Sequence, residues 1–194
     1  MRTVQWAAVV AAACLGMSAT IEATVQQPQP RGIQLDAATL ADFDKRVNEY
    51  MALHKKAESE QPKLSDKATP EEITKSKDAL SLAIRAARPN AAAGGLLTPA
   101  VQAHIRRVFT AVFAGTEGAN LKGSIMDENP VGLAIKVNDR YPTTVPLSTM
   151  PPSVLSALPK LPEELEYRFV GDALVIMDGH ADLIVDLMPK SLPR

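Results

Sequence analysis

Apolar positions recur with a helical period in three stretches of the first two thirds of the chain. Spacings of three and four place these residues on one face of a helix and leave most charged residues on the other. The pattern predicts helices over about 36–58, from Pro70 to about Pro89, and from Pro99 to Gly115. Their apolar faces contain Leu40, Phe43, Val47, Met51 and His54; Ile73, Leu80, Ala83, Ile84 and Ala87; and Val101, Ile105, Val108, Phe109 and Val112.

Residues that favour helix starts support this division. Thr69-Pro70-Glu71-Glu72 combines an N-cap, a proline at the first helical position and a capping-box glutamate, and Thr98-Pro99 repeats the cap and the proline. A shorter fourth helix is predicted after Thr116. Gly118 and Gly123 count against it, because glycine costs about 1 kcal/mol relative to alanine within a helix.

Beyond residue 128 the pattern changes to a period of two. Leu133–Asn138 alternates like a half-buried strand. Glu166–Val170 and Ala173–Met177 flank a Gly-Asp pair typical of a hairpin, and Asp182–Met188 follows. We therefore expect an α+β fold in which an N-terminal helical hairpin and a third helix pack on a small C-terminal antiparallel β-meander of three or four strands. The central strand is expected to be covered on both faces by helices.

The same change in pattern divides the chain into a helical region, 34–128, and a β-meander region, 129–190. Two segments precede them. An apolar run from Trp6 to Gly16 after Met1-Arg2 predicts a signal peptide over 1–23, and the Gln/Pro-rich stretch 24–33 predicts a flexible linker. The expected location is periplasmic or secreted, with no membrane span in the mature chain. Two alternatives are a lipoprotein attached through Cys14 and a buried or anchoring N-terminal helix.

Composition and charge narrow the possible partners. The chain has 194 residues, a formal net charge of -1, 46% hydrophobic residues and 22% charged residues. This balance predicts a folded core, and it provides no general attraction to nucleic acid or to anionic membranes. No nucleic-acid partner is expected. The sequence also lacks the common hydrolase, phosphate-loop and dinucleotide motifs, so we predict a protein that is not an enzyme and uses no cofactor.

One group of polar residues could bind a metal. Asp178, His180 and Asp182 alternate around a turn, where an imidazole and carboxylates could gather on one face and bind a divalent cation. The alternative is an ordinary tight turn with a solvated histidine. His54 and His104 lie on apolar helix faces, and we interpret them as histidines at the edge of the core. Alternatively, they form a pH-sensitive pair.

Part of the chain resembles known families. The block Pro151–Pro189, which contains Pro162-Glu-Glu-Leu-Glu-Tyr-Arg-Phe-Val-Gly171 and Ala181-Asp-Leu-Ile-Val-Asp186, resembles an uncharacterised family of small exported bacterial proteins. The segment Tyr167–Leu187 is similar to the C-terminal hairpin of periplasmic proteins associated with nickel and cobalt homeostasis. The first resemblance implies export and no particular activity, and the second implies a hairpin.

Two functions follow as hypotheses. The first is an exported, non-catalytic binding or accessory protein of the cell envelope, which holds an envelope protein or a small ligand in a groove or at a sheet edge. The alternative is a metal-responsive periplasmic protein that uses the Asp/His turn. A concave apolar surface without converging ionisable groups would favour the first, and side-chain ligands gathered around one point would favour the second.

Overall fold

The computed structural model describes residues 34–129, 132–142 and 144–193, all within the unit Arg31–Arg194. The predicted signal peptide with Cys14 and the predicted linker lie outside the described residues. Among the helices that are described, none has the length and apolar character needed to cross a membrane.

Five helices form from the described segments in which the apolar spacing is helical. The first two begin at polar caps. Asp36 accepts a hydrogen bond from the Thr39 N–H at 2.9 Å, and Thr69 with Glu72 forms the predicted capping box. The described helices are α1 (Ala37–Ser59), α2 (Pro70–Ala87), α3 (Pro99–Val112), α4 (Gly115–Glu128) and the single turn α5 (Pro152–Leu155).

The fourth helix is as long as the third, at 14 residues each. One of its glycines has a packing role. A Cβ at position 118 would overlap the backbone of Phe113, so only glycine allows the start of α4 to approach the end of α3 this closely. A Cβ at position 123, in contrast, would meet no described atom within 4 Å. The cost of Gly118 in a helix is therefore offset by a close contact that no other residue could make.

The three described strands form an antiparallel meander. Strands β1 (Leu165–Val170), β2 (Ala173–Asp178) and β3 (Leu183–Met188) lie in the order β1-β2-β3. Gly171, in the turn between the first two, has a φ of 58°, which glycine adopts without strain. The pairing of β2 with β3 shifts between Ile176 and Met177, and this irregularity is a β-bulge. These strands and the helices confirm the α+β class.

The predicted strand Leu133–Asn138 is wrong, because this segment is irregular. Its last residue, Asn138, has a φ of 68°, which extended strands do not allow. The chain here nevertheless lies along β3: the Asn138 N–H donates to the Ile184 carbonyl at 2.9 Å, and the Ile184 N–H donates to the Asp139 carbonyl at 2.9 Å. The outer edge of β3 is thus paired within the chain at its N-terminal end.

Both faces of the central strand are buried, as predicted, but only one is covered by helices. Leu174 and Ile176 pack into the main core together with residues of α1 to α3. Val175 and Met177 belong to a second cluster with Tyr141, which residues of the irregular segment cover. The sheet therefore has helices on one face and irregular chain on the other. The C-terminal ends of α1 and β2 meet where His54 contacts Asp178.

Candidate metal site

The site is built where the last turns of α1 meet the turn after β2. Tyr50, His54 and Glu58 follow one another at intervals of four, so they share one face of α1. Strand β2 ends at Asp178, and the chain then turns through Gly179 to His180. Each half of the site is thus positioned by regular structure, and packing of α1 on the sheet brings the halves together.

Asp178 is the buried centre of this junction, with 0% exposure. Its Oδ2 accepts hydrogen bonds from the Tyr50 hydroxyl at 2.7 Å and from the His54 Nδ1 at 2.6 Å. Its Oδ1 accepts from the backbone N–H groups of His180 at 3.0 Å and of Ala181 at 3.1 Å. Burial alone would raise the pKa of Asp178, but the hydrogen bonds from His54 and Tyr50 outweigh it and lower that pKa. The carboxylate is ionised and has donors on both oxygens.

His54 has one ring nitrogen fixed and the other unsatisfied. Because Nδ1 donates to Asp178, the neutral ring carries its lone pair on Nε2. The side chain is completely buried, and Nε2 has no hydrogen-bond partner among the described residues. Glu58 Oε2 lies 3.6 Å from this nitrogen. Burial opposes protonation of His54, but the hydrogen bond and charge of Asp178 and the charge of Glu58 raise its pKa overall.

His54, Glu58 and His180 form a three-residue cluster in which one ligand atom of each lies within 4.8 Å of the others. His180 Nδ1 is 3.2 Å from Glu58 Oε1, and His54 Nε2 is 3.6 Å from Glu58 Oε2. Ligands about 2.0–2.1 Å from a tetrahedral ion lie about 3.3 Å from one another, so the three side chains, whose ligand atoms lie within 4.8 Å, would close slightly around such an ion. His180 and Glu58 are about half exposed, at 51% and 49%, and can adjust around the fixed His54.

Two imidazoles and a carboxylate are donors that suit Zn²⁺, Ni²⁺ and Co²⁺. Asp178 would not bind such an ion directly. It would act through His54, whose ring it orients, in the carboxylate–histidine–metal arrangement common in protein metal sites. The chemistry of the cluster therefore matches a small transition-metal site that has three protein ligands and a supporting carboxylate.

The structure places only one of the three residues predicted from the turn in this cluster. His180 belongs to it, whereas both oxygens of Asp178 are occupied by hydrogen bonds. Asp182 has a φ of 47°, and its Oδ1 accepts from Lys77 Nζ at 2.8 Å. The cluster thus shares only His180 with the set suggested by alternation around the turn, and it takes its two other members from a helix.

Sequence reasoning missed His54 and Glu58 as members of the cluster. A signal was present, because a histidine on an apolar face followed four residues later by a glutamate can bind one ion from adjacent turns. Pairs of this kind are common on helices, and only the position of His180 distinguishes this one. His104, the other helical histidine, is buried without a partner for Nδ1 among the described residues, and it is not a member of the cluster.

A half-open cavity of about 870 Å³ adjoins the cluster. Glu58 and His180 form part of its wall, so the cluster lies at the boundary between protein interior and cavity. The remaining wall comes from the end of α1, the loop after it, α2 and Gly179. Comparisons with protein-family models, with curated proteins and with solved structures give no match.

Proposed function

We propose that this protein is an exported, non-catalytic binding protein of the bacterial cell envelope and that it binds a divalent transition-metal ion through His54, Glu58 and His180. One observation carries the proposal: the fully buried Nε2 of His54 has no hydrogen-bond partner among the described residues and faces a carboxylate and a second imidazole. Export and the envelope location rest on the apolar N-terminal run and the family resemblance.

A metal-free cluster of ion pairs is the simplest competing explanation. In that arrangement a protonated His54 would direct its Nε2–H at Glu58 across 3.6 Å, which is too long for a hydrogen bond. A buried donor left in this state costs about 1–3 kcal/mol. An ion between the three side chains would give Nε2 a partner. It would also accept a lone pair from each of the two neutral imidazoles.

The donor set also favours particular ions. Mg²⁺ and Ca²⁺ prefer sites made of oxygen ligands, and two of the three ligands here are nitrogens. Zn²⁺, Ni²⁺ and Co²⁺ accept imidazole readily. We therefore expect the site to discriminate strongly against the two alkaline-earth ions.

Calorimetric titration of the full chain with Zn²⁺, Ni²⁺ and Co²⁺ tests the proposal. It should be done in a Cys14→Ser background, so that the thiol cannot contribute a ligand. We expect one ion per chain with micromolar or tighter affinity. Replacement of a ligand, in Glu58→Gln or His180→Ala, should weaken binding at least about tenfold. Asp182→Asn is the matched control, because Asp182 lies in the same turn but faces Lys77.

The outcomes separate the explanations clearly. Equal losses in His180→Ala and Asp182→Asn would indicate weak binding to acidic surface groups, and the assigned ligand set would then be wrong. The visible spectrum of the Co²⁺-loaded protein adds a second measurement, because a tetrahedral site absorbs much more strongly than a hydrated ion. Absence of saturable binding with all three ions at neutral pH would contradict the proposal.

A further inference from the structure

The wall of the adjoining cavity combines two kinds of surface. It includes Glu58 and His180, which are two of the three proposed ligands. It also includes Leu64 and Ile73, which are large apolar side chains with exposures of 46% and 40%. Its volume of about 870 Å³ lies within the usual range of pockets for small molecules, about 300–1,000 Å³.

Three protein ligands leave one position of a tetrahedral ion open. His54 approaches from the buried interior, because its side chain has 0% exposure. Glu58 and His180 are half exposed and line the cavity. The open position of the ion therefore faces the cavity, where water or a donor atom from a bound molecule can occupy it.

The charges around the cavity favour an anionic donor. Lys55, Lys63 and Lys77 line it, and among the described residues Glu58 is the only acidic one in its wall. Lys77 already donates to the Gly179 carbonyl at 3.0 Å and to Asp182 at 2.8 Å, whereas Lys55 and Lys63 are exposed. With a divalent ion in place, the positive charges at the cavity exceed the negative charge of Glu58.

We infer that the metal-loaded protein binds a small monocarboxylate with an alkyl body, its carboxylate on the open position of the ion and its alkyl chain against Leu64 and Ile73. This inference rests on the proposed function, because without the ion the carboxylate loses its main partner. The apolar wall explains why the ligand needs an alkyl chain, and the lysines explain why it needs a negative charge.

Titration of octanoate into the Zn²⁺-loaded full chain, in the Cys14→Ser background, tests the inference. Octanoate should bind at least about tenfold more tightly to the loaded protein than to the metal-free protein. Across butanoate, hexanoate and octanoate, affinity should rise up to about fourfold for each CH₂ that reaches the apolar wall. Acetate and 1-octanol should each bind much more weakly than octanoate, because one lacks the alkyl chain and the other lacks the charge.

A matched pair of variants locates the alkyl chain. Leu64→Ser should reduce octanoate affinity at least about fivefold and leave Zn²⁺ affinity unchanged. Leu147→Ser, which removes a leucine of similar exposure, 44%, outside this cavity, should change neither. Octanoate affinity that is the same with and without Zn²⁺, or the same in Leu64→Ser and Leu147→Ser, would overturn the inference. If Zn²⁺ binds and octanoate does not, only this inference fails; if Zn²⁺ itself fails to bind, the proposed function fails as well.

Discussion

Asp178 and Asp186 are fully buried carboxylates on neighbouring strands, and their surroundings give them different roles. Asp186 accepts hydrogen bonds of 2.7–2.8 Å from three backbone N–H groups in the loop between α2 and α3, those of Gly94, Leu96 and Leu97. It thereby fastens that loop to β3. Asp178 accepts hydrogen bonds from two side chains of α1 as well as from two backbone N–H groups of its own turn, and through His54 it faces an ionisable cluster. The first carboxylate is structural, and the second also controls a titrating group.

Removal of the Asp186 carboxylate should destabilise the protein strongly. Asp186→Ala leaves these three N–H groups, two of them buried and one part-buried, without that acceptor, at a cost of about 1–3 kcal/mol for each group that water cannot reach. We expect a loss of at least about 3 kcal/mol in the free energy of unfolding, measured by urea denaturation. Asp127→Ala, at an exposed position of α4, should change it by less than about 0.5 kcal/mol. Similar values for the two variants would contradict the structural role of Asp186.

The two helical histidines should titrate on opposite sides of the ordinary histidine pKa of 6.5. Burial opposes protonation of His54, but Asp178 and Glu58 raise its pKa; burial and then Arg107 lower the pKa of His104. The folded pKa of His54 exceeds its unfolded value, so its stabilising effect is complete below pH 6.5 and is lost as the pH rises through the folded pKa. NMR titration of the ring protons in the presence of EDTA measures both values. Titration of His54 below His104 would refute the assigned environments.

At the scale of elements, local sequence signals predicted the helices well, but they predicted a strand where the chain is irregular. Helix α2 begins at a proline behind a threonine cap, and these signals act within a few residues. The segment Leu133–Asn138 alternates like a strand because its apolar residues cover one face of β2, but its backbone bonds are set by Ile184, far away in sequence. A period of two reports which side chains are buried, and it does not report whether the backbone forms a ladder.

The two glycines in α4 should respond in opposite directions to replacement by alanine. In Gly123→Ala, an open position in a helix gains a better helix former, and stability should rise by about 0.5–1 kcal/mol. In Gly118→Ala, the new methyl group overlaps the Phe113 backbone, and α4 must move away from α3. We expect that change to cost about 1–3 kcal/mol. Thermal unfolding followed by circular dichroism compares them, and stabilisation by both variants would mean that the close approach at Gly118 is absent.

At the scale of the whole molecule, the site depends on contacts that no local pattern encodes. Glu58 and His180 are 122 positions apart and meet only because α1 packs on the sheet. Alternation around the turn drew attention to His180, which belongs to the cluster, but it paired that residue with Asp182, which the backbone directs towards Lys77. The sequence alone suggests only a turn role for Asp178, because its side-chain donors, Tyr50 and His54, lie far away in sequence on α1. The sequence could therefore predict the class of fold and one member of the cluster, while the other two members required the tertiary structure.

A metal ion that joins α1 to the turn after β2 should stabilise the whole fold. The unfolded chain cannot hold these distant ligands together, so binding favours the native state by about 2.7 kcal/mol when free Zn²⁺ is about 100 times the dissociation constant. For a protein of this size we expect the melting temperature to rise by about 5–10 °C, measured by calorimetry in the Cys14→Ser background. EDTA should reverse the rise, and Mg²⁺ at the same concentration should not produce it. Because His180 is half exposed, His180→Ala should melt near the parent without metal and lose most of the Zn²⁺-dependent rise. A full rise in that variant would show that the ion binds elsewhere.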